Sequence, residues 1–149
     1  MTREQKDLLI KDLCSRLSHG VKCKILETDE VKILGAIQYD GENTLFDFWE
    51  DDQKIQYGYQ LYLSEFKPCL LPLSSMTDEL WDKEFMGCGI TEFTRDSFKY
   101  GCETLEFNNS NPDLSSMVRF INQLIKNHFD IYGLIPMGLA IDATGLNIY

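Results

Sequence analysis

Positive charge is scarce in this chain of 149 residues, which carries 14 Lys and Arg against 24 Asp and Glu and has a net charge of −10. A protein that follows nucleic-acid phosphates needs clustered Lys and Arg. The balance therefore disfavours nucleic-acid binding, except through residues 1–24, which hold six basic and three acidic side chains. Residues 25–66 are the most acidic part, with ten acidic and two basic side chains. A field of that sign steers basic partners toward the protein.

Sequence patterns for metal ions and disulfides are missing as well. The five cysteines are odd in number, none belongs to a Cys-x-x-Cys pair, and only two histidines could complete a ligand set. Structural zinc sites usually contain close ligand pairs. The sequence therefore predicts no metal, no cofactor, and buried reduced thiols. The cysteines are Cys14, Cys23, Cys69, Cys88 and Cys102, and the histidines are His19 and His128.

Membrane and secretion signals are also lacking. No apolar run approaches the roughly 18 residues needed to cross a bilayer, and residues 1–5 lack the layout of a secretory signal. Hydrophobic residues at 44% and aromatic residues at 12% are enough for a packed core. We expect a cytoplasmic protein with one compact domain, residues 1–149. That domain could divide into a helix-and-sheet part, residues 1–67, and a mainly helical part, residues 73–149.

Local catalytic signatures do not occur. The sequence contains no G-x-S-x-G, no H-E-x-x-H and no glycine-rich phosphate loop. His128 falls in the last turn of a predicted helix, where a cation complements exposed carbonyl groups. No base lies near Cys88 in the sequence. The chain is therefore predicted to be non-catalytic, with no catalytic residues, although an active site assembled from distant residues stays open.

The N-terminal part favours one helix followed by four strands. Thr2 and Gln5 have the spacing of a capping box at the start of a helix over residues 2–18, and Gly20 is placed to end it. Alternation then predicts strands that follow one another through short turns. These strands cover residues 21–25, 31–39, 44–49 and 55–63. The apolar positions of the helix are Leu9, Ile10, Leu13, Cys14 and Leu17.

The remaining sequence favours helices. A connector bracketed by Pro68 and Pro72 leads to a helix that starts near Ser74 and ends near residues 87–89. Residues 87–111 are ambiguous, with a hairpin preferred, and the tail from Asp130 suggests short turns and a final strand. A second helix over residues 112–128 has an apolar stripe at helical spacing, formed by Leu114, Met117, Val118, Ile121, Leu124 and Ile125.

Together these elements predict an α+β fold. It has an N-terminal helix, a four-stranded antiparallel meander shaped as an SH3-like or Sm-like bent sheet or partial barrel, and C-terminal helices packing on the sheet. Such folds host many functions, so the architecture alone assigns none.

Three stretches of the sequence carry a family resemblance: DLLIKDLCSRLSHGVK in residues 7–22, EFKPCLLPLSSMTDELW in residues 65–81, and NHFDIYGLIPMGLAIDATGLNIY in residues 127–149. With them the chain resembles small uncharacterised proteins of prophages and mobile elements in gut Bacteroidetes. The resemblance implies an accessory protein of a phage or mobile element rather than a housekeeping enzyme.

Aromatic and acidic side chains meet in one candidate surface. Trp49 and Tyr62 lie off the dominant faces of their strands and predict an exposed contact patch, together with the acidic residues Glu50, Asp51 and Asp52. The spacing of these carboxylates does not match a calcium loop, so a solvated acidic turn is favoured.

Two functions follow from these patterns. The leading hypothesis is an interaction protein that binds a host or phage protein, in one form as an acidic decoy for a DNA-binding groove. The alternative is a small nucleic-acid-binding protein that uses the sheet and the basic N-terminal helix, with contacts from Lys6, Lys11, Arg16, Lys22 and Lys24. The identity of a partner and the oligomeric state do not follow from the sequence.

Overall fold

A computed structural model describes residues 1–49, 59–85 and 114–149. The chain divides into two compact units. The first contains residues 1–70 together with 132–149, and the second contains residues 71–131. The tail therefore belongs to the unit that holds the N-terminal helix and the sheet.

The first unit begins with helix α1, Arg3–Arg16, which continues as a 3₁₀ turn over Leu17–His19. The predicted capping box is confirmed: the Gln5 N–H donates to the Thr2 hydroxyl at 3.2 Å, and the Thr2 N–H donates to the Gln5 side chain at 2.9 Å. Gly20 follows in the left-handed conformation with φ 69°, as the sequence predicted.

The α+β fold is confirmed, with an open, mostly antiparallel sheet of six strands in the order β4-β3-β2-β1-β5-β6. The meander of the first four strands is present, and β6 joins β5 in parallel. The strands are β1 Lys22–Ile25, β2 Val31–Tyr39, β3 Thr44–Trp49, β4 Tyr59–Leu61, β5 Phe66–Leu70 and β6 Ile141–Asp142.

Strand β5 corrects a prediction, because Pro68 lies inside a strand and not in a connector. The Leu26 N–H donates to the Glu65 carbonyl at 2.9 Å, and this bond sets the hydrogen-bonding phase of the β1–β5 ladder. In that phase Cys23 and Pro68 face each other as a non-hydrogen-bonded pair. The Pro68 nitrogen points away from β1, so its missing N–H costs no bond in this ladder.

The sheet is strongly bent. In a flat sheet three strand spacings, about 14 Å in total, would separate β3 from β5. Yet the ring of Phe66 on β5 lies 5.0 Å from that of Phe46 and 4.8 Å from that of Phe48, both on β3. These contacts curl the sheet around one apolar core, which also receives Leu9 and Leu13 from α1.

The tail is bonded into the same sheet by its last side chain. The Tyr149 hydroxyl accepts the Lys22 N–H at 3.0 Å and donates to the Cys69 carbonyl at 2.8 Å. It thus occupies the place where β1 and β5 would otherwise bond directly. Burial raises the pKa of the Tyr149 hydroxyl, which therefore stays protonated and keeps its donor.

Trp49 packs on the backbone of β2 at Gly35, where the β2–β3 register is irregular. A Cβ at Gly35 would overlap the indole atoms Cε2, Nε1 and Cδ1 of Trp49. Gly35→Ala should therefore displace the indole and lower the free energy of unfolding by about 1–3 kcal/mol. Urea melts and tryptophan emission measure both effects.

A double-mutant cycle checks the cause. In a Trp49→Leu background, the same Gly35→Ala change should cost under about 0.5 kcal/mol, because the overlapping ring is gone. An equal cost in both backgrounds would mean that the glycine is required for backbone reasons alone.

The second unit has its own core. A 3₁₀ turn, Leu73–Ser75, precedes the short helix α2, Asp78–Leu80, which Thr77 caps and which continues as a π-helix over Trp81–Phe85. Helix α3, Leu114–Lys126, packs its apolar side chains into this cluster. The buried members are Met76, Trp81, Phe85, Phe120, Leu124 and Phe129.

The predicted inward face of α3 is only partly right. Leu124 and Ile125 are buried, but Leu114 is 72% exposed and Val118 is 49% exposed. Phe120, which lies off the predicted stripe, is fully buried against Trp81 and Phe85. These edge-to-face aromatic contacts, which the spacing of aliphatic residues does not reveal, set the rotation of the helix.

Helix α3 ends at Lys126, and His128 just beyond it adopts a left-handed φ of 61°. The His128 N–H donates to the Ile125 carbonyl at 3.0 Å, and the Phe129 N–H donates to the Leu124 carbonyl at 2.9 Å. This pair of bonds is the Schellman arrangement of helix ends. His128 therefore lies at the end of the helix, as predicted, and contributes one of the closing bonds through its backbone.

Candidate functional site

Most of the described acidic side chains of residues 25–66 lie on the surface. Seven of their ten acidic side chains lie in the described ranges, and six of these seven are exposed. All six lie in turns between strands rather than within strands. The exposed residues are Glu27, Asp29, Glu30, Asp40, Glu42 and Glu65.

Four of these acidic residues come together in one place, because the antiparallel pairing of β1 with β5 brings the turn of residues 62–65 against the turn of residues 26–30. The Leu26 N–H to Glu65 carbonyl bond joins the two turns. We call the surface formed by residues 26–30 and 62–65 the acidic turn pair. It also exposes large apolar side chains, since Tyr62 is 52% exposed and Leu26 is 48% exposed.

Two lysines balance part of this charge. Lys24 pairs with Asp29 at 2.6 Å, and Lys32 pairs with Glu30 at 3.3 Å. Among the described basic side chains, none lies within ion-pair distance of Glu27 or Glu65. The Glu65 carboxylate accepts the backbone N–H of Tyr62 at 2.6 Å, which closes its turn.

A cleft of 190 Å³ lies beside residues 26–30. The described part of its lining has an apolar floor and a polar rim. The floor is formed by Ile25, Phe48 and Leu61, and the rim by Glu27, Thr28, Glu30 and Lys32.

The structure locates two of the five residues of the predicted patch. Trp49 ends β3 opposite Ile33 and is half-buried, while Tyr62 follows β4 and is exposed. The two lie at opposite ends of the β3–β4 ladder, which runs from the Phe48–Tyr59 pair to the Phe46–Leu61 pair. Glu50, Asp51 and Asp52 lie outside the described residues, so the patch as a whole stays a prediction.

The second acidic turn, residues 40–43, is organised by its own backbone. The Asp40 carboxylate accepts the N–H groups of Asn43 at 2.7 Å and Glu42 at 2.9 Å. These bonds, that of Asn43 first, hold the pKa of Asp40 below its usual value. The role of Asp40 is therefore to shape the turn.

Asp47 lies on β3, three residues before the acidic residues 50–52. Its Oδ2 atom accepts a hydrogen bond from the Gln38 side chain, while its Oδ1 atom is buried without a hydrogen-bond partner. Within residues 1–49, 59–85 and 114–149, no group of three or more potential metal ligands occurs.

Arg16 corrects the basic set proposed for nucleic-acid contacts. Its side chain is fully buried and forms two hydrogen bonds of 2.8 Å with the equally buried carboxylate of Asp12. The predicted apolar stripe excluded Arg16, but the buried face of α1 is rotated from that stripe and includes this ion pair together with Leu9 and Leu13. An arginine held in this way cannot reach a phosphate.

The sheet lysines lie on a different face from the helix. Val21, Cys23 and Ile25 point into the core that α1 covers, so Lys22 and Lys24 point to the opposite side. Lys67 joins them, since it is the direct partner of Lys24 across the β1–β5 ladder. The structure thus separates the sheet lysines from the helix lysines Lys6 and Lys11.

The described cysteines differ sharply in accessibility. Burial raises the pKa of Cys23 well above its usual value, with the nearby Cys69 and Asp12 adding to the shift. Burial also raises the pKa of Cys69. Cys14 is exposed on α1, although it was predicted on the apolar stripe. Cys88 and Cys102 lie outside the described residues.

These environments predict selective alkylation. Because thiolate is the reactive form and a raised pKa lowers its population, Cys23 and Cys69 should resist iodoacetamide in the folded protein at mildly alkaline pH. Cys14 should react faster than either of them because it is exposed. Peptide mass spectrometry after timed labelling measures this, and addition of urea should make all three react alike.

No family model, no curated protein and no solved structure matches the chain. The family resemblance of the sequence therefore stays a prediction. In the described parts of the chain, no helix is long and apolar enough to cross a membrane.

Proposed function

We propose that this protein is a non-catalytic interaction module that binds a protein partner through the acidic turn pair. The observation that carries the proposal is the coincidence of exposed Leu26 and Tyr62 with the exposed carboxylates of Glu27 and Glu65. Aromatic anchors surrounded by polar groups are typical of protein interfaces. A basic partner would also be attracted by the field of residues 25–66.

We further propose that the sheet is a partial barrel of the SH3-like or Sm-like kind. The strand order of β1 to β5 and the contacts of Phe66 with Phe46 and Phe48 support it. In such a fold the turns at one end of the barrel form a compact surface, so the architecture suits a binding module. Folds of this kind host many functions, so the proposed binding function rests on the acidic turn pair and not on the architecture.

The biological setting proposed is a cytoplasmic accessory protein of a phage or mobile element. An acidic surface could act there as a decoy, occupying the DNA-binding groove of a host nuclease or regulator. The exposed turn carboxylates support this form because their negative charge could take the place of nucleic-acid phosphates in a basic groove. A decoy of this kind must lose affinity as salt is raised.

Affinity capture from host lysate tests the proposal, using two variants with the same change of net charge. Glu27→Lys alters the acidic turn pair, whereas Glu4→Lys alters an exposed position on α1. We expect the wild type and Glu4→Lys to retain one protein that Glu27→Lys retains about 3- to 10-fold less. Capture of nothing above background at low ionic strength, or equal capture by both variants, would contradict the proposal.

Nucleic-acid binding is the second candidate, now limited to the sheet face with Lys22, Lys24 and Lys67. Lys24 and Lys67 lie side by side, which supports a small basic patch, although Lys24 is paired with Asp29. Gel shifts with single- and double-stranded DNA and RNA at low ionic strength test it. A shift that Lys67→Glu abolishes would favour this candidate, and no shift at micromolar protein would exclude it.

A further inference from the structure

The cleft beside residues 26–30 has a size and chemistry that define what it can hold. Pockets for drug-sized ligands measure about 300–1,000 Å³. At 190 Å³ this cleft is too small for such a ligand and suits a single large side chain. The described floor is apolar because it consists of Ile25 and Phe48, which the core already buries, and of the half-buried Leu61.

The rim of the cleft adds a charge preference. Glu27 stands there among the described residues without a cationic partner, and Glu30 shares the rim with its ion-pair partner Lys32. Asp29 and Glu65 lie on the same acidic turn pair. Among the described lining residues two carboxylates, Glu27 and Glu30, face one lysine, Lys32, so a residue that enters the cleft is favoured when its neighbours are basic.

We infer that the cleft is the docking point for one aliphatic side chain of a partner protein, presented by a segment with Lys or Arg on both sides of it. The inference rests on the proposed function, because it names the chemistry of the partner at the same surface. The aliphatic side chain supplies burial on Ile25, Phe48 and Leu61, and the flanking cations pair with the carboxylates of the rim. Burial alone would not favour a basic segment, and charge attraction alone would not favour an aliphatic side chain.

Labelled peptides test the inference directly. The probe is a fluorescein-labelled peptide with one leucine between two pairs of lysines, and fluorescence anisotropy measures its affinity for the whole chain. Two matched peptides carry serine in place of the leucine, or glutamates in place of the lysines. We expect the leucine peptide to bind at least about 10-fold more tightly than the serine peptide, since burial of a leucine side chain contributes about 1.5–3 kcal/mol. The glutamate peptide should show no binding.

Two further measurements place the peptide in the cleft. In methyl NMR spectra, the leucine peptide should shift the signals of Ile25 and Leu61, and the serine peptide should not. Thr28→Trp, which places a bulky ring at the rim, should weaken the leucine peptide about 10-fold or more. Glu27→Lys should weaken both lysine peptides about 3- to 10-fold. The methyl spectra use the wild-type protein, so the test holds even if Thr28→Trp fails to fold.

The outcomes separate this inference from the proposed function. Equal binding of the leucine and serine peptides would overturn the cleft inference and leave attraction to the acidic surface intact. A partner captured from lysate that depends on Glu27 but is indifferent to Thr28→Trp would overturn the cleft inference in the same way. Absence of binding by every peptide, or methyl shifts remote from Ile25 and Leu61, would also overturn it.

Discussion

Phe66→Ala should lower the free energy of unfolding by about 3–5 kcal/mol, the cost typical of removing a buried aromatic ring. Phe66 is 1% exposed and touches the rings of Phe46 and Phe48 from the far side of the bent sheet. A domain of this size has only about 5–15 kcal/mol of stability. The variant should therefore unfold at much lower urea concentration, and urea melts followed by circular dichroism measure it.

The control is Tyr39→Ala, which removes an aromatic side chain that is exposed rather than buried. Tyr39 is 72% exposed and its hydroxyl donates to the Gly41 carbonyl in the neighbouring turn. Its loss should cost about 1 kcal/mol or less. Equal urea midpoints for the two variants would contradict the bent sheet, because a flat sheet would leave Phe66 without its contacts on β3.

Arg16→Met should cost about 3–5 kcal/mol, because it leaves the buried Asp12 carboxylate without its guanidinium. The pair is held by two hydrogen bonds of 2.8 Å, and both side chains are 0% exposed. Replacing both members, as Asp12→Leu with Arg16→Met, should restore stability to within about 1–2 kcal/mol of the wild type. Thermal and urea melts of the single and double variants give the comparison.

An additive result would contradict this account of the pair. If the double variant lost as much as both single changes together, Asp12 and Arg16 would be stabilised by separate partners. If Arg16→Met cost under about 0.5 kcal/mol, the side chain would be at the surface and free to contact phosphates.

Local patterns predicted the local elements of this fold. The capping box at Thr2 and the alternation in β1 to β3 depend only on neighbouring residues, so single-sequence reasoning found them. Strand β5 was missed because Pro68 normally argues against a strand, and only the pairing phase with β1 makes it acceptable. The rotation of α3 that buries Phe120 depends on edge-to-face contacts with Trp81 and Phe85, which are distant in sequence.

The candidate site could likewise be predicted only in part, because some of its features follow from local sequence and others from contacts between distant residues. Tyr62 was selected from its strand face, and the acidic composition was plain from the sequence. The meeting of the turns at residues 26–30 and 62–65 was not predictable, because it follows from the pairing of β1 with β5, two strands that are not consecutive in the sequence. The burial of Arg16 likewise depends on Asp12, four residues earlier, entering the core with it.

Mapping the bound partner by amide NMR tests the central claim most directly. Once a partner has been captured, the labelled chain is titrated with it and the shifted amides are assigned. The account predicts that the largest shifts lie in residues 26–30 and 62–65, and that they weaken as salt is raised. Shifts confined to α1, or to the turn of residues 40–43, would show that the acidic turn pair is not the interface.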